Sequence, residues 1–382
     1  MGKIDELIQQ YCPDGVEFRK IKDVYKRIKG TPITATKMKE IANPTGSVRI
    51  FAGGKTVIDA NEEDIPNANI TRVPAVLVQS RGVIDVVYYE QPFTFKNEMW
   101  AYTTENKTSV KYLYYVMKSN VQTFRDAASG MGALPQISLG TTEDFEIPLP
   151  PLPVQEAIVN ILDRFSVYAA ELQAELQAEL QARQQQYQYY RDTLLSFDGR
   201  DDVQWKKLGE VADLGTGSHN TQDGLVEGKY PFYTRGSEIL YLNDYDYDET
   251  AIITAGDGAG VGKVFHFVQG KYALHQRAYR IVPNEKIVLA RFVYYYIGAT
   301  FYNYIMKSSV SSSVVSIRKP MMVDYPIPVP SIEEQERVIS ILDNFYSLTN
   351  DLTQGLPAEI EARQQQYEYY RDQLLTFKRK EA

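Results

Sequence analysis

A stretch of 51 residues occurs twice in this chain of 382, and that duplication limits the fold more than any other feature. Residues 147–197 read IPLPPLPVQEAIVNILDRF…ARQQQYQYYRDTLLSF, and residues 327–377 read IPVPSIEEQERVISILDNF…ARQQQYEYYRDQLLTF. The offset is 180 residues without a gap, and 26 of the 51 positions are identical. Solenoid repeats run roughly 20–50 residues, so a period this long predicts a duplicated module. The segments between the copies differ. The pattern predicts two different reading heads on a matched pair of helical spacers.

Each copy opens on a proline-rich strand end, Pro148 to Pro153 and Pro326 to Pro330, which stops a strand and sets up a helix. Ser331 with Glu334 fits a capping box. Ile158, Leu162, Phe165, Ala169, Leu172 and Leu176 recur at spacings of four and three, as in a coiled-coil seam. Val338, Leu342 and Phe345 match them in the second copy, whose seam weakens beyond that point. A helical run of about 45 residues spans roughly 65–70 Å, and two such runs pair most simply as antiparallel neighbours. The first copy contains the tandem AELQAELQAELQ over 170–181; the second has Gly355 and Pro357 there. Proline inside a helix costs about 3 kcal/mol, so a kink or a restart at Leu356 is expected.

The remaining segments read as mixed α/β. Strand-like runs fall at 75–78, 83–89, 251–254 and 263–268, and aromatic-rich helices at 110–117 and 289–306. Tyr112, Tyr114 and Tyr115, with Tyr294, Tyr295 and Tyr296, read as core and rim of those helices. Val16-Glu17-Phe18-Arg19-Lys20-Ile21 matches Val203-Gln204-Trp205-Lys206-Lys207-Leu208, so both variable segments begin alike. A short helix over 3–11 is expected to dock near the end of the last helix.

Taken as a whole, the net charge of −8 argues against nucleic acid, but it is unevenly spread. It is 0 over residues 1–147 and −1 over 198–327, against −3 and −4 in the two helical segments. The variable segments can therefore hold a basic face, although the chain alone is expected to bind nucleic acid weakly. One cysteine, Cys12, excludes an internal disulfide and suits the reducing cytosol. No signal peptide and no 18-residue apolar run is evident, so a cytoplasmic protein without a membrane span is expected.

Catalytic motifs fail on inspection. Gly256-Asp257-Gly258-Ala259-Gly260-Val261-Gly262-Lys263 resembles a phosphate loop, but Val264 stands where Ser or Thr is needed, and Val261 breaks the dinucleotide pattern. A tight glycine turn between strands is the better reading. Asp248-Glu249-Thr250-Ala251 has no phosphate loop to accompany it, and Asn43-Pro44-Thr45 and Phe51-Ala52-Gly53-Gly54 miss the amino-methyltransferase patterns. The three histidines, His219, His266 and His275, lack metal-ligand spacing. No metal and no enzyme constellation is expected.

Recognition remains. Arg and Lys suit guanine edges, and Asn and Gln suit adenine. The candidates are Lys55, Gln79, Arg81, Lys96 and Asn97 in the first segment, and Thr234, Arg235, Lys263, His275, Gln276 and Arg277 in the second. They gain weight as a set, because 51–55 aligns with 232–236 and 96–98 with 274–276. A Tyr- and Arg-bearing face, Tyr187, Tyr190 and Arg191 with Tyr367, Tyr370 and Arg371, is a candidate for two identical partners; helix pairing is the alternative.

Together these residues resemble the specificity subunit of a Type I restriction-modification system, over essentially the whole chain. The resemblance rests on the opening Lys3-Ile4-Asp5-Glu6-Leu7…Cys12-Pro13-Asp14-Gly15-Val16, the proline joints followed by Gln155-Glu156 and Gln335-Glu336, and the two ARQQQY…YYRD…LL blocks. Gly258-Ala259-Gly260-Val261-Gly262-Lys263 with Leu274-His275-Gln276-Arg277 resembles one target-recognition domain type, and the AELQ tandem resembles spacer repeats of the Type IC branch. The resemblance implies an α+β fold, in which two mixed α/β target-recognition domains are separated by two long helices packed as a pseudo-two-fold antiparallel coiled coil. The expected divisions are a helix at 1–13, a recognition domain at 14–147, a spacer at 148–198, a second recognition domain at 199–327 and a second spacer at 328–382. Each domain would read one half of a gapped site in double-stranded DNA. The helices would dock two methyltransferase (M) subunits. The chain itself would be non-catalytic and hold no cofactor: S-adenosylmethionine belongs to the M subunits, and ATP and Mg to the restriction (R) subunits. The first domain carries Gln79-Ser80-Arg81-Gly82-Val83 in place of the glycine turn. The rival class is a two-headed coiled-coil adaptor that binds proteins and no DNA.

Overall fold

The computed structural model describes residues 2–54, 56–129, 134–308, 316–350 and 355–381. The chain forms two compact units, residues 1–175 with 361–382, and residues 176–360. The unit boundaries fall within the two long helices.

In the first unit the proline-bearing strand Glu146–Leu149 pairs antiparallel with Glu17–Lys20. A two-stranded ribbon tolerates Pro148, because its missing N–H faces no ladder partner. A four-stranded sheet runs in the order Lys26–Lys29, Trp100–Thr103, Ala75–Gln79, Asp85–Tyr89. A three-stranded sheet places Val48–Phe51 between Val57–Ala60 and Phe93–Phe95. The helix Lys107–Ser119, capped by Asn106, buries Tyr112 and Tyr115 against the larger sheet, as expected of that stripe. Ile158 and Leu162, at the start of the helix Leu152–Leu194, join the same core. Leu375, near the end of the helix Leu356–Leu375, lies in that core too, while the Ser166 and Tyr367 hydroxyls meet at 2.9 Å. These two helical segments therefore run antiparallel. The helix Gly2–Tyr11 sends Ile4 into this core and sets Leu7 and Ile8 against it beside Leu374 and Phe377. The expected docking of the amino-terminal helix is observed.

The second unit repeats the construction. Pro326–Val329 pairs with Gln204–Lys207. A six-stranded sheet runs Ala212–Thr216, Ala278–Pro283, Tyr247–Ala255, Phe265–Leu274, Tyr230–Tyr233, Ile239–Leu242. The helix Ala290–Ser308 buries Tyr295 and Tyr296. Leu195 packs with Val338 and Leu342, and Tyr190 stacks on Phe345 at 5.2 Å, so this helix pair is also antiparallel. The first copy is one helix of 43 residues, about 64 Å long at 1.5 Å per residue. The second is divided into Ile332–Asn350 and Leu356–Leu375, and the restart at Leu356 puts Pro357 in a first turn, where its missing N–H costs nothing.

The seam is shorter than its spacing predicts. Of the six seam residues of the first copy, Ile158 and Leu162 alone are buried, whereas Phe165 is 39% and Leu172 37% exposed. Leucines four apart drift by about 40° per step around a helix of 3.6 residues per turn, so they leave the contact line.

Candidate nucleic-acid interface

Each unit builds its loop cluster from two strands that run parallel and end together. In the second unit Tyr233 lies opposite Leu274. Beyond that pair the His275 N–H donates to the Tyr233 carbonyl at 3.0 Å, and the His219 N–H donates to the Leu274 carbonyl at 3.3 Å. In the first unit Phe51 lies opposite Phe95, Lys96 N–H donates to Phe51 O at 3.0 Å, and Thr31 N–H donates to Phe95 O at 2.7 Å. Antiparallel register extends the match: Ala255 faces Ala278, while Val78 faces Trp100, which carries on to Gln79 opposite Met99.

This geometry corrects the expected alignment by one residue. Phe51 corresponds to Tyr233, Lys96 to His275, Asn97 to Gln276, Glu98 to Arg277, and Arg81 to Asp257. Aligning aromatic with aromatic matched Phe51 to Phe232, but side-chain direction in a strand alternates and the backbone partners decide the register. The glycine turn is present in both units. Gly258 takes φ 85° and Gly262 φ 67°, and Gly82 takes φ 77° at the position of Gly258. The first unit's turn is a shortened form of the second's.

The candidates divide sharply by environment. In the second unit, Asp257 accepts from Arg235 Nη1 at 2.9 Å and from Arg277 Nη1 at 3.0 Å. Partial burial works against ionisation of Asp257, but the bonds from Arg235 and Arg277 outweigh it and hold the carboxyl below the usual aspartate range. Arg277 and Gln276 are exposed, and Gln276 Nε2 donates to Asn220 Oδ1. Lys263 is exposed, with its ammonium 5.1 Å from the Tyr302 ring. Asn220, Gln222, Arg235, Gln276 and Arg277 line a polar cavity of about 290 Å³. His275 is buried, and its Nδ1 accepts from the Arg277 N–H at 2.9 Å. Burial, reinforced by the nearby Arg235 charge, pushes the His275 imidazole down, so it serves the turn as a neutral acceptor. Thr234 is half-buried, and its hydroxyl accepts from the Gly236 N–H.

In the first unit, Arg81 and Asn97 are exposed. Asn97 and Glu98 line a cavity of about 630 Å³ with Arg27, Lys29 and Asn69. Lys96 is held by Glu98 at 2.9 Å. Gln79 is buried at the end of its strand. Lys55 lies outside the described residues. Asp257 and Glu98, the acids that organise these loops, are not among the sequence candidates. The only sequence signal for Asp257 is an acid between two glycines of a strand turn.

The Tyr-bearing helices are also split. Tyr187 and Tyr367 turn toward their helix pairs, Tyr187 against the second core and Tyr367 onto Ser166. Arg191 and Arg371 are engaged with Asp192 and Asp372. Tyr190 and Tyr370 are each 38% exposed, while Tyr189 and Tyr369 of the same stripe are 67% and 60% exposed.

Among the described residues no group of three His, Cys, Asp or Glu could hold a metal, and no helix is long and apolar enough to cross a membrane. Residues 13–182 and 200–362 match the Type I restriction modification DNA specificity domain family. The chain belongs to that family. It is 35% identical over 304 residues to the Type I restriction enzyme EcoR124I/EcoR124II specificity subunit of Escherichia coli, covering 72% of this chain and 73% of that one. A type I restriction enzyme specificity subunit of Haemophilus influenzae is 30% identical over 306 residues, with coverage of 75% and 77%. The HsdS subunit from Thermoanaerobacter tengcongensis shares the fold at a TM-score of 0.53 and 14% identity, over 96% of this chain and 97% of that one. A chain solved in a study of complex assembly and conformational transition of the type I R-M system gives 0.65 at 16% identity, over 95% and 98%. The specificity subunit is a non-catalytic DNA-recognition chain of a restriction-modification complex, and the adaptor reading is not favoured.

Proposed function

We propose that residues 14–147 and 199–327 are two target-recognition domains that each read one half of a gapped duplex site, and that the helices over 148–198 and 328–382 dock two methyltransferase subunits and set the half-site spacing. The observation that carries this reading is the pair of loop clusters, which share a backbone frame and differ in every charged side chain on it. A shared frame with exchanged side chains suits two different base sequences. Arg81 and Asn97 are the proposed contacts in the first domain, together with Lys96 and, from the sequence, Lys55. In the second they are Arg235, Gln276 and Arg277, with Lys263 on phosphate. The exposed tyrosines of both helices support the proposed docking of modification subunits, because aromatic side chains are enriched at interfaces. S-adenosylmethionine would reside in those subunits, and ATP and Mg in restriction subunits. The assembly would be cytoplasmic and Type IC-like.

A mobility-shift titration with and without the methyltransferase tests the proposal. The complex should bind its duplex tightly, with affinity falling as salt rises, and the acidic chain alone should bind weakly. A complex that binds no duplex would defeat it. Calorimetry on the chain alone should detect neither S-adenosylmethionine nor ATP.

A further inference from the structure

The second unit places a carboxylate between two guanidiniums at the centre of its loop cluster. Both Asp257 oxygens are used, Oδ1 by Arg235 and Oδ2 by Arg277. The Asp257 side chain is 23% exposed and that of Arg277 63%, so the acid is the covered partner and the arginine the presented one. The backbone ties the three residues together. The Gly256 N–H donates to the Arg277 carbonyl at 2.8 Å. A Cβ on Gly260 would stand 2.4 Å from the Arg235 carbonyl, so the turn can lie against Arg235 only because position 260 is glycine.

This arrangement is poorly suited to holding phosphate. Non-specific affinity grows with the number of phosphates neutralised, and an aspartate set between two arginines cancels one of the two charges. What the carboxylate adds is direction. A planar guanidinium held by one nitrogen presents its remaining N–H edge in a defined orientation. Direction is what a base edge requires, since guanine offers O6 and N7 to a single arginine fork. Lys263 is the contrast: it is exposed beside Tyr302 with no acid partner among the described residues, as suits a phosphate contact. The first unit exchanges the residue types, with Arg81 at the position of Asp257 and Glu98, which bonds Lys96, at that of Arg277, so an aspartate set between two arginines is a feature of one half-site's reader and not of the scaffold.

We propose that Asp257 is a positioning residue for base reading, which aims the Arg277 and Arg235 forks at guanine, so that the half-site read by the second unit contains a guanine whose recognition depends on a side chain that does not touch DNA. The inference rests on the DNA-reading function proposed above.

The test uses the chain assembled with its methyltransferase, and reads the methylated motif by sequencing that detects methyladenine. In Asp257→Asn the motif should relax at one or two neighbouring positions of one half-site and stay unchanged in the other. Affinity for cognate duplex should fall about tenfold, while affinity for unrelated duplex holds or rises because a negative charge has been removed. Replacing the half-site guanine by 7-deazaguanine, which lacks the N7 acceptor, should cost the wild type about tenfold and the variant little. Arg277→Lys keeps the charge and loses the fork, and should relax the same position even if Asp257→Asn is too unstable to assay. An unchanged motif, an equal loss on cognate and unrelated duplex, or a half-site without guanine would overturn the proposal. A wild-type complex that binds no defined site would instead defeat the function on which it rests.

Discussion

The two units differ least where their helices meet and most where their loops converge. In the first, Lys111 and Tyr115 both bond Asp163, at 2.8 and 2.6 Å. In the second, Arg291 at 2.8 Å and the Tyr295 hydroxyl bond Asp343, each residue 180 positions on. Burial and the adjacent carboxylate raise the Tyr115 and Tyr295 phenols alike, so both act as neutral donors. At the loop clusters the correspondence inverts: Arg81 and Glu98 stand where the second unit has Asp257 and Arg277. A joint shared by both modules is free to keep one chemistry, whereas a surface that must tell two sequences apart is not. One joint departs from this pattern. Gln155 Nε2 and Gln335 Nε2 donate to the Pro150 and Pro330 carbonyls at 2.7 and 2.9 Å. Gln335 Oε1 also accepts from the Leu289 N–H at 2.8 Å, while Gln155 Oε1 is buried with no partner among the described residues. Asn106 already caps the equivalent first-unit helix by accepting from the Ser109 N–H.

That inequality gives the largest expected effect. Gln335→Ala leaves the Leu289 N–H and the Pro330 carbonyl unpaired and should cost about 2–3 kcal/mol, against about 1 kcal/mol for Gln155→Ala, which also removes an orphaned oxygen. Urea unfolding, resolved by hydrogen exchange in each unit, measures both. Equal losses would mean that the joints are equivalent after all.

The loops come next. Arg277→Ala and Arg81→Ala should each cost about 1–3 kcal/mol of cognate binding and relax different halves of the methylated motif. If both relax the same half, the structural correspondence of the clusters has no functional counterpart. Lys263→Ala, at the proposed phosphate contact, should weaken all sequences alike and lower the salt slope by about one.

Much of the scaffold is legible in the sequence because its signals are local or exactly repeated. The offset of 180 residues matches Gln155 with Gln335 and Asp163 with Asp343, Pro357 marks the helix restart, and the Tyr112 and Tyr295 stripes announce buried helices. The site is less legible. Burial of Gln79 and His275 depends on strand partners far away in sequence, and the one-residue register between clusters is set by backbone bonds such as Lys96 to Phe51 and His275 to Tyr233. Asp257 reads as turn punctuation until Arg235 and Arg277, 22 and 20 residues away, are seen on its two oxygens.

The smallest effect concerns spacing alone. The AELQ tandem lies within the unbroken helix Leu152–Leu194. One more unit after Gln181 lengthens that helix by about 6 Å and turns it about 40° past a full turn. At roughly 3.4 Å per base pair, the gap between half-sites should widen by one or two base pairs with both half-site sequences intact. Methyladenine sequencing reads this directly, and an unaltered gap would count against the ruler.

The central claim, that each unit reads its own half-site through a loop cluster on a common frame, is tested most directly by exchanging residues 14–147 for the corresponding segment of another family member and mapping methyladenine in the assembled complex. The account predicts that one half of the motif changes and the other, read by the cluster of Arg235, Asp257 and Arg277, is retained base for base. A change in both halves, or in neither, would contradict it.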